Sequence, residues 1–301
     1  KKLHDEKVLV ESEGAIGMDL ANDNLGFCLA IKSDGTGLYA TKDILLAQQK
    51  FEDFDIDKSI YIVDKRQSYH FKQVFKVLEK VGFKNAHQCS HLEYDFVEMP
   101  DGAMSSRKGN IISLVDLIAQ METTITQNYL AKYSGSWPKE EIKNTARIVA
   151  NAAIKYGMIR MDNNRKIVFQ MDEWLKLDGE TGPYLQYVCA RINSLCSKLN
   201  FNKNDNVNWE LLEKEQEQLL AVKLTQFNDI ALDACLQHKT PLLCSYLYDL
   251  GKSFNSFYAE CPIANAQSDA LKIARLALSY SCGQIMKNGL SLLGIEAPSR
   301  M

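Results

Sequence analysis

The chain has 301 residues, 46% of them hydrophobic, with 35 basic and 38 acidic side chains and a formal net charge of -3. No apolar run is long enough to cross a bilayer, and the near-neutral balance gives no bulk electrostatic sign of a nucleic-acid partner. The eight cysteines are scattered without a C-x-x-C pair, which argues against a zinc site and a disulfide scaffold and fits a reducing cytosol. The segment from Lys1 to Glu6 has neither a signal-peptide core nor an arginine-rich transit character.

The first third of the chain reads as alternating strand and helix. Phe27 to Ile31 is a predicted strand, Ser33-Asp-Gly-Thr36 a hairpin turn, and Leu38 to Ala40 the returning strand. A helix capped by Thr41 then runs to about Phe54. Ser59 to Val63 is a short, continuously apolar strand of the kind buried in a parallel sheet. The helical pattern Phe71, Val74, Phe75, Val77, Leu78, Val81 follows and stops at Gly82. His91 to Met99 is extended. Ser113 and Asp116 make a capping box for a helix to about Tyr133, and Ser134-Gly-Ser-Trp-Pro138 marks a linker. Beyond it the pattern is of four or more amphipathic helices, hence a bundle.

Two segments carry chemistry. Asp101-Gly-Ala-Met-Ser-Ser-Arg-Lys-Gly-Asn110 places the hydroxyls of Ser105 and Ser106 beside the cations of Arg107 and Lys108, between glycines. Such a loop suits a polyphosphate on which charge builds, although taken alone it also reads as a charged surface turn. In the helix beginning at Pro183, Tyr184, Tyr187 and Arg191 fall together beside an apolar stripe centred near Ile192. They form either a stacking platform for unpaired bases or a rim packed on a neighbouring helix.

The order of motifs resembles the arginyl-tRNA synthetases, a class I aminoacyl-tRNA synthetase family, over nearly the whole chain. The residues that carry it are Asp34-Gly-Thr-Gly-Leu-Tyr39-Ala-Thr-Lys-Asp43, Gln67-Ser-Tyr-His70-Phe-Lys-Gln73 and Met104-Ser-Ser-Arg-Lys-Gly-Asn110, the last similar to the class signature KMSKS. Gly179-Glu-Thr-Gly-Pro-Tyr184-Leu-Gln-Tyr187, the Asp269-Ala-Leu-Lys272 run and the ending Ala297-Pro-Ser-Arg-Met301 are similar to the helical anticodon-binding domain named for D-A-L-R.

The resemblance implies an α/β plus all-α chain: the second half of a Rossmann-type catalytic domain over residues 1–136, then an α-helical anticodon-binding bundle over 137–301. It implies arginine contacts from Tyr39, Asp43 and Gln67, ATP contacts from His70, Met104, Ser105 and Lys108, and a catalytic loop of Ser105, Ser106, Arg107 and Lys108. Tyr184, Tyr187, Arg191 and Met301 would meet the anticodon. A carboxylate such as Asp43 is suited to a guanidinium's fork, while an acid near a helix start is also favoured by the helix dipole; His70 reads equally as a cap. The implied partners are tRNA(Arg), L-arginine and ATP with Mg2+ as substrate, in a cytoplasmic monomer with no membrane association and no structural metal.

Two departures stand out. Ala103 replaces the signature's first lysine and Arg107 its second, so another cation, Lys108 or a lysine outside the chain, shares the work at the pyrophosphate. None of the five histidines forms the H-x-G-H signature, so the chain reads as the C-terminal part of a longer arginine-tRNA ligase, inactive in arginine activation by itself. A non-catalytic tRNA-binding module derived from a synthetase is the alternative. A cysteinyl-tRNA synthetase would call for zinc ligands, for which Cys28 and Cys89 do not suffice, and no P-loop pattern occurs.

Overall fold

In the computed structural model, which describes residues 9–100 and 113–301, the chain divides into two compact units. One comprises Lys1–Phe96 with Asn163–Arg165; the other comprises Val97–Asp162 with Lys166–Met301. This packing boundary falls before the expected division at 136/137.

The first unit is α/β. Strands β1 (Val10–Ser12), β2 (Ala15–Asp19) and β3 (Phe27–Ile31) form an antiparallel sheet in that order. The expected return strand at Leu38 to Ala40 is reduced to one bridge, Ile31 to Gly37, because helix α1 (Tyr39–Asp53) starts earlier than the sequence pattern indicated. Thr41 is therefore not its cap: Leu38 holds that position, and the Thr41 hydroxyl instead donates to the Ala30 carbonyl at 2.7 Å. Strand β4 (Ser59–Asp64) pairs in parallel with β5 (Cys89–Tyr94), and the connecting helix α2 (Ser68–Lys80) buries Phe71, Val74, Val77 and Leu78. This is the expected β-α unit. β4 is not buried on both faces, however. Ser59, Tyr61 and Val63 are buried, with Phe71 packed on Tyr61 and Val63, while Ile62 on the opposite face is 70% exposed.

In the second unit, two-residue strands β6 (Val97–Glu98) and β7 (Ile167–Val168) pair in parallel beside helices. Ser113 caps α3 (Leu114–Ile125), its hydroxyl accepting from the Asp116 amide at 3.1 Å, and the helix continues through a π turn at Thr126–Leu130. Met121, Ile125 and Leu130 pack with Ile142 and Ala146 of α4 (Lys139–Ile159) and with Phe169 and Trp174. That shared core explains why residues 114–133 belong with the bundle. The short α5 (Met171–Trp174) leads to α6 (Gly182–Lys198), capped by Thr181, whose hydroxyl accepts from the Tyr184 amide. Pro183 lies in the first turn, where its missing N–H costs nothing.

Helices α7 (Glu215–Thr225), α8 (Phe227–Gln237), α9 (Thr240–Glu260) and α10 (Asp269–Leu292) complete the bundle around Leu185, Ile192, Leu247, Phe254, Cys282 and Leu290. Within it lies a buried ion pair: Arg275 Nε donates to Glu217 Oε1 at 2.6 Å, with the side chains 5% and 1% exposed. Arg275 also donates to the Pro262 carbonyl, and Glu217 accepts from the Lys214 amide, so each charge has a second partner. No helix of the described residues is long and apolar enough to cross a membrane.

Candidate functional site

The structure brings Asp43 and His70 together in the first unit, and Tyr187, Arg191 and Met301 together in the second. In the first unit, α1 and α2 begin close to one another. Tyr39 opens α1 and Asp43 lies one turn further in, in its second turn and not its first as expected. Beyond the carboxyl end of β4, a short turn Lys65–Gln67 leads into α2; Gln67 holds the N-cap position without a side-chain capping bond, and His70 occupies the first turn of α2. The two helices are joined by His70 Nε2 and Asp43 Oδ2, 2.7 Å apart. Tyr39 is 79% exposed and Gln67 is exposed, so the site is an open shelf, with Asp43 and His70 half-buried at its back. Behind them burial, and to a lesser extent the charges of Cys89 and Asp43, raise the phenol of Tyr61 above its ordinary range.

An ionised carboxylate only accepts hydrogen bonds, so the short contact requires the proton on His70 Nε2. Asp43 Oδ1 and the remaining lone pair of Oδ2 are left for another donor. Such a carboxylate suits a planar, two-pronged cation. Met104, Ser105, Ser106, Arg107 and Lys108 lie outside the described residues. Among the described residues no cluster of three or more His, Cys, Asp or Glu could hold a metal ion.

In the second unit, a cleft of ≈ 430 Å³ is lined by Tyr187, Arg191 and Lys198 of α6, Tyr258 of α9, Lys132, Tyr133 and Trp137, and the terminal Arg300 and Met301. Its lining holds four cationic side chains and no acidic side chain, a local basic character that the net charge of -3 concealed. Tyr133 and Trp137 stack at 4.3 Å, Arg300 lies 4.2 Å above Trp137, and Arg191 lies 4.2 Å above Tyr258. Aromatic faces interleaved with guanidinium planes provide surfaces on which an unpaired base can stack.

Tyr187, at 38% exposure, faces this cleft with Arg191 and Met301, but Tyr184 does not. Tyr184 is 7% exposed, accepts from Asn255 Nδ2 at 2.9 Å and meets Tyr248 edge to face. It turns inward because Gly251 on α9 leaves room for its ring: a Cβ there would lie 3.2 Å from Tyr184 Cε1. Tyr184 is thus a core residue, and Trp137, Tyr258 and Arg300 are cleft residues that the sequence reading missed. Trp137 lies within the turn-forming segment Ser134 to Pro138, and Arg300 lies next to Met301 at the chain end.

The chain end is strapped to the cleft. Gln186 Nε2 donates to the Glu296 carbonyl at 2.6 Å, Asn193 Nδ2 to Ser299 at 3.3 Å, and the Tyr133 hydroxyl to Met301 at 3.3 Å. Arg300 forks onto both oxygens of Glu141 at 2.7 and 2.6 Å, which holds that carboxyl below the usual carboxylate range.

Comparison with known proteins places both units. The profile of the class I (R) tRNA synthetase catalytic domain matches residues 1–171, and that of the DALR anticodon-binding domain matches 185–301. An arginine-tRNA ligase of Bdellovibrio bacteriovorus is 53% identical over 301 residues, covering 100% of this chain and 52% of the relative. One from Clostridium botulinum is 37% identical over 300 residues, covering 100% and 53%. The solved Thermus thermophilus arginyl-tRNA synthetase superposes with a TM-score of 0.87 at 25% identity, covering 99% of this chain and 57% of that one. The chain therefore spans about half the length of the curated relatives it matches. From its catalytic-domain match through the helical bundle, the chain belongs to the class I arginyl-tRNA synthetase family.

Proposed function

We propose that the protein containing this chain is an arginine-tRNA ligase. The arginine carboxylate attacks the α-phosphate of ATP to form arginyl-adenylate, and pyrophosphate leaves. A hydroxyl of the terminal ribose of tRNA(Arg) then attacks the adenylate's carbonyl, and AMP leaves. Neither step needs a protein nucleophile, so the catalytic contribution is alignment and stabilisation of charge on the leaving groups. Magnesium enters with ATP, where it neutralises phosphate charge.

The observation that carries this reading is the Asp43–His70 contact that joins α1 to α2, on a chain that matches the family over both its parts. Asp43 takes the guanidinium's fork, with Tyr39 and Gln67 on either side. The Ser105, Ser106, Arg107 and Lys108 loop meets the phosphates, as the resemblance implies. The aromatic and basic cleft at Tyr187 receives anticodon bases, with Met301 held at its rim. Arginine-dependent exchange of pyrophosphate into ATP, measured on the full-length protein and followed by charging of tRNA(Arg), tests this. Absence of exchange with retained tRNA binding would replace it with the reading of a non-catalytic RNA-binding protein.

A further inference from the structure

We propose that His70 is a positioning residue for Asp43, setting the carboxylate plane that receives the guanidinium; this rests on the reading that Asp43 binds arginine. A bidentate bond to a planar fork demands alignment within roughly 10–20°. A half-buried aspartate on one turn of a helix is free to rotate about two side-chain bonds, and nothing in its own helix fixes it. His70 reaches across from the first turn of α2 and holds Oδ2 at 2.7 Å. The imidazole is itself set edge-on against Phe71, with ring centroids 5.2 Å apart, and Phe71 is buried. The anchor therefore leads from the core of the unit to the carboxylate through one rigid ring.

The same geometry bears on a direct role for His70 at ATP. With Nε2 engaged by Asp43, only Nδ1 is left for a second partner. The role assigned to His70 is therefore at the amino acid, through Asp43.

The test uses the full-length enzyme in pyrophosphate exchange, with arginine and ATP varied separately. His70→Phe keeps a ring of similar bulk and removes the donor. It is expected to raise the KM for arginine about tenfold while the KM for ATP stays within about twofold. His70→Gln, whose Nε2 can replace the lost donor, should bring the arginine KM back to within about threefold of the parent. In an Asp43→Ala background, His70→Phe should add no further change in the arginine KM, since the group it positions is gone. A rise in the ATP KM with an unchanged arginine KM would overturn the assignment. Independent, multiplying effects of the two substitutions, or no rescue by glutamine, would do the same. If Asp43→Ala alone leaves the arginine KM unchanged, the reading of the pocket fails and not merely the role of His70. Thermal melting of His70→Phe and His70→Gln separates loss of fold from loss of alignment.

Discussion

Replacing Tyr187 by alanine should weaken tRNA(Arg) binding without unfolding the bundle. Tyr187 is 38% exposed, against 7% for Tyr184, and it borders the cleft with Arg191 and Met301, so part of its side chain is open to a ligand there. A base stacked on an aromatic ring contributes about 1–3 kcal/mol, which corresponds to a rise in Kd of roughly 5- to 150-fold. Tyr184→Phe is the matched control, three residues away on the same helix. It removes a hydroxyl that accepts from Asn255, lowering stability by about 0.5–1.5 kcal/mol while leaving the Kd unchanged. Fluorescence anisotropy with tRNA(Arg) on the full-length protein at one fixed salt concentration reads the first effect, and urea denaturation reads the second. An unaltered Kd for Tyr187→Ala, or a larger loss for Tyr184→Phe, would refute the division of the two tyrosines between surface and core.

Arg275→Met strands the Glu217 carboxylate in the bundle core and should cost about 3–5 kcal/mol in chemical denaturation; replacing both residues by apolar ones should cost less, and equal losses would contradict the pairing. The Glu141–Arg300 fork should respond to pH in one direction. The folded Glu141 carboxyl titrates below its unfolded value, so its contribution is intact above the ordinary carboxylate range and is lost as pH falls through the lowered value. A methyl NMR signal from Met301 should therefore move as the pH falls through that lowered range, and should be displaced already at neutral pH in Glu141→Gln; indifference to that substitution would show that the fork does not hold the chain end. Among the thiols, Cys235 is exposed, whereas burial pushes Cys189 and Cys244 up to about 12. A thiol reagent at neutral pH should label Cys235 in its fastest phase, and persistence of that phase in Cys235→Ser would disprove the assignment.

Local signals located the elements well where the physics is local. Pro183 announced the start of α6, Ser113 announced that of α3, and the apolar run Ser59 to Val63 announced β4. The failures required knowledge of distant neighbours. Tyr184 and Tyr187 share a helix and a residue type, and only Gly251 and Asn255 on α9 decide that one turns inward. Thr41 has a good capping side chain, yet the Ala30 carbonyl on β3 competes for its hydroxyl and α1 begins before it. The linker reading of Ser134 to Pro138 rested on turn-forming residues and overlooked that Trp137 stacks on Tyr133 beneath Arg300. The fork-binding role of Asp43 came from motif resemblance and carboxylate chemistry, whereas its partner His70 lies 27 residues away and became visible only once α1 and α2 were brought side by side.

Calorimetric titration of the full-length protein with arginine and with citrulline probes the Asp43 shelf most directly. The two amino acids have nearly the same shape, but citrulline carries a neutral urea in place of the guanidinium. Arginine should bind at least about a hundredfold more tightly, and the preference should collapse in Asp43→Ala. Equal affinity for the two ligands, or an undiminished preference in Asp43→Ala, would contradict a guanidinium site at Asp43.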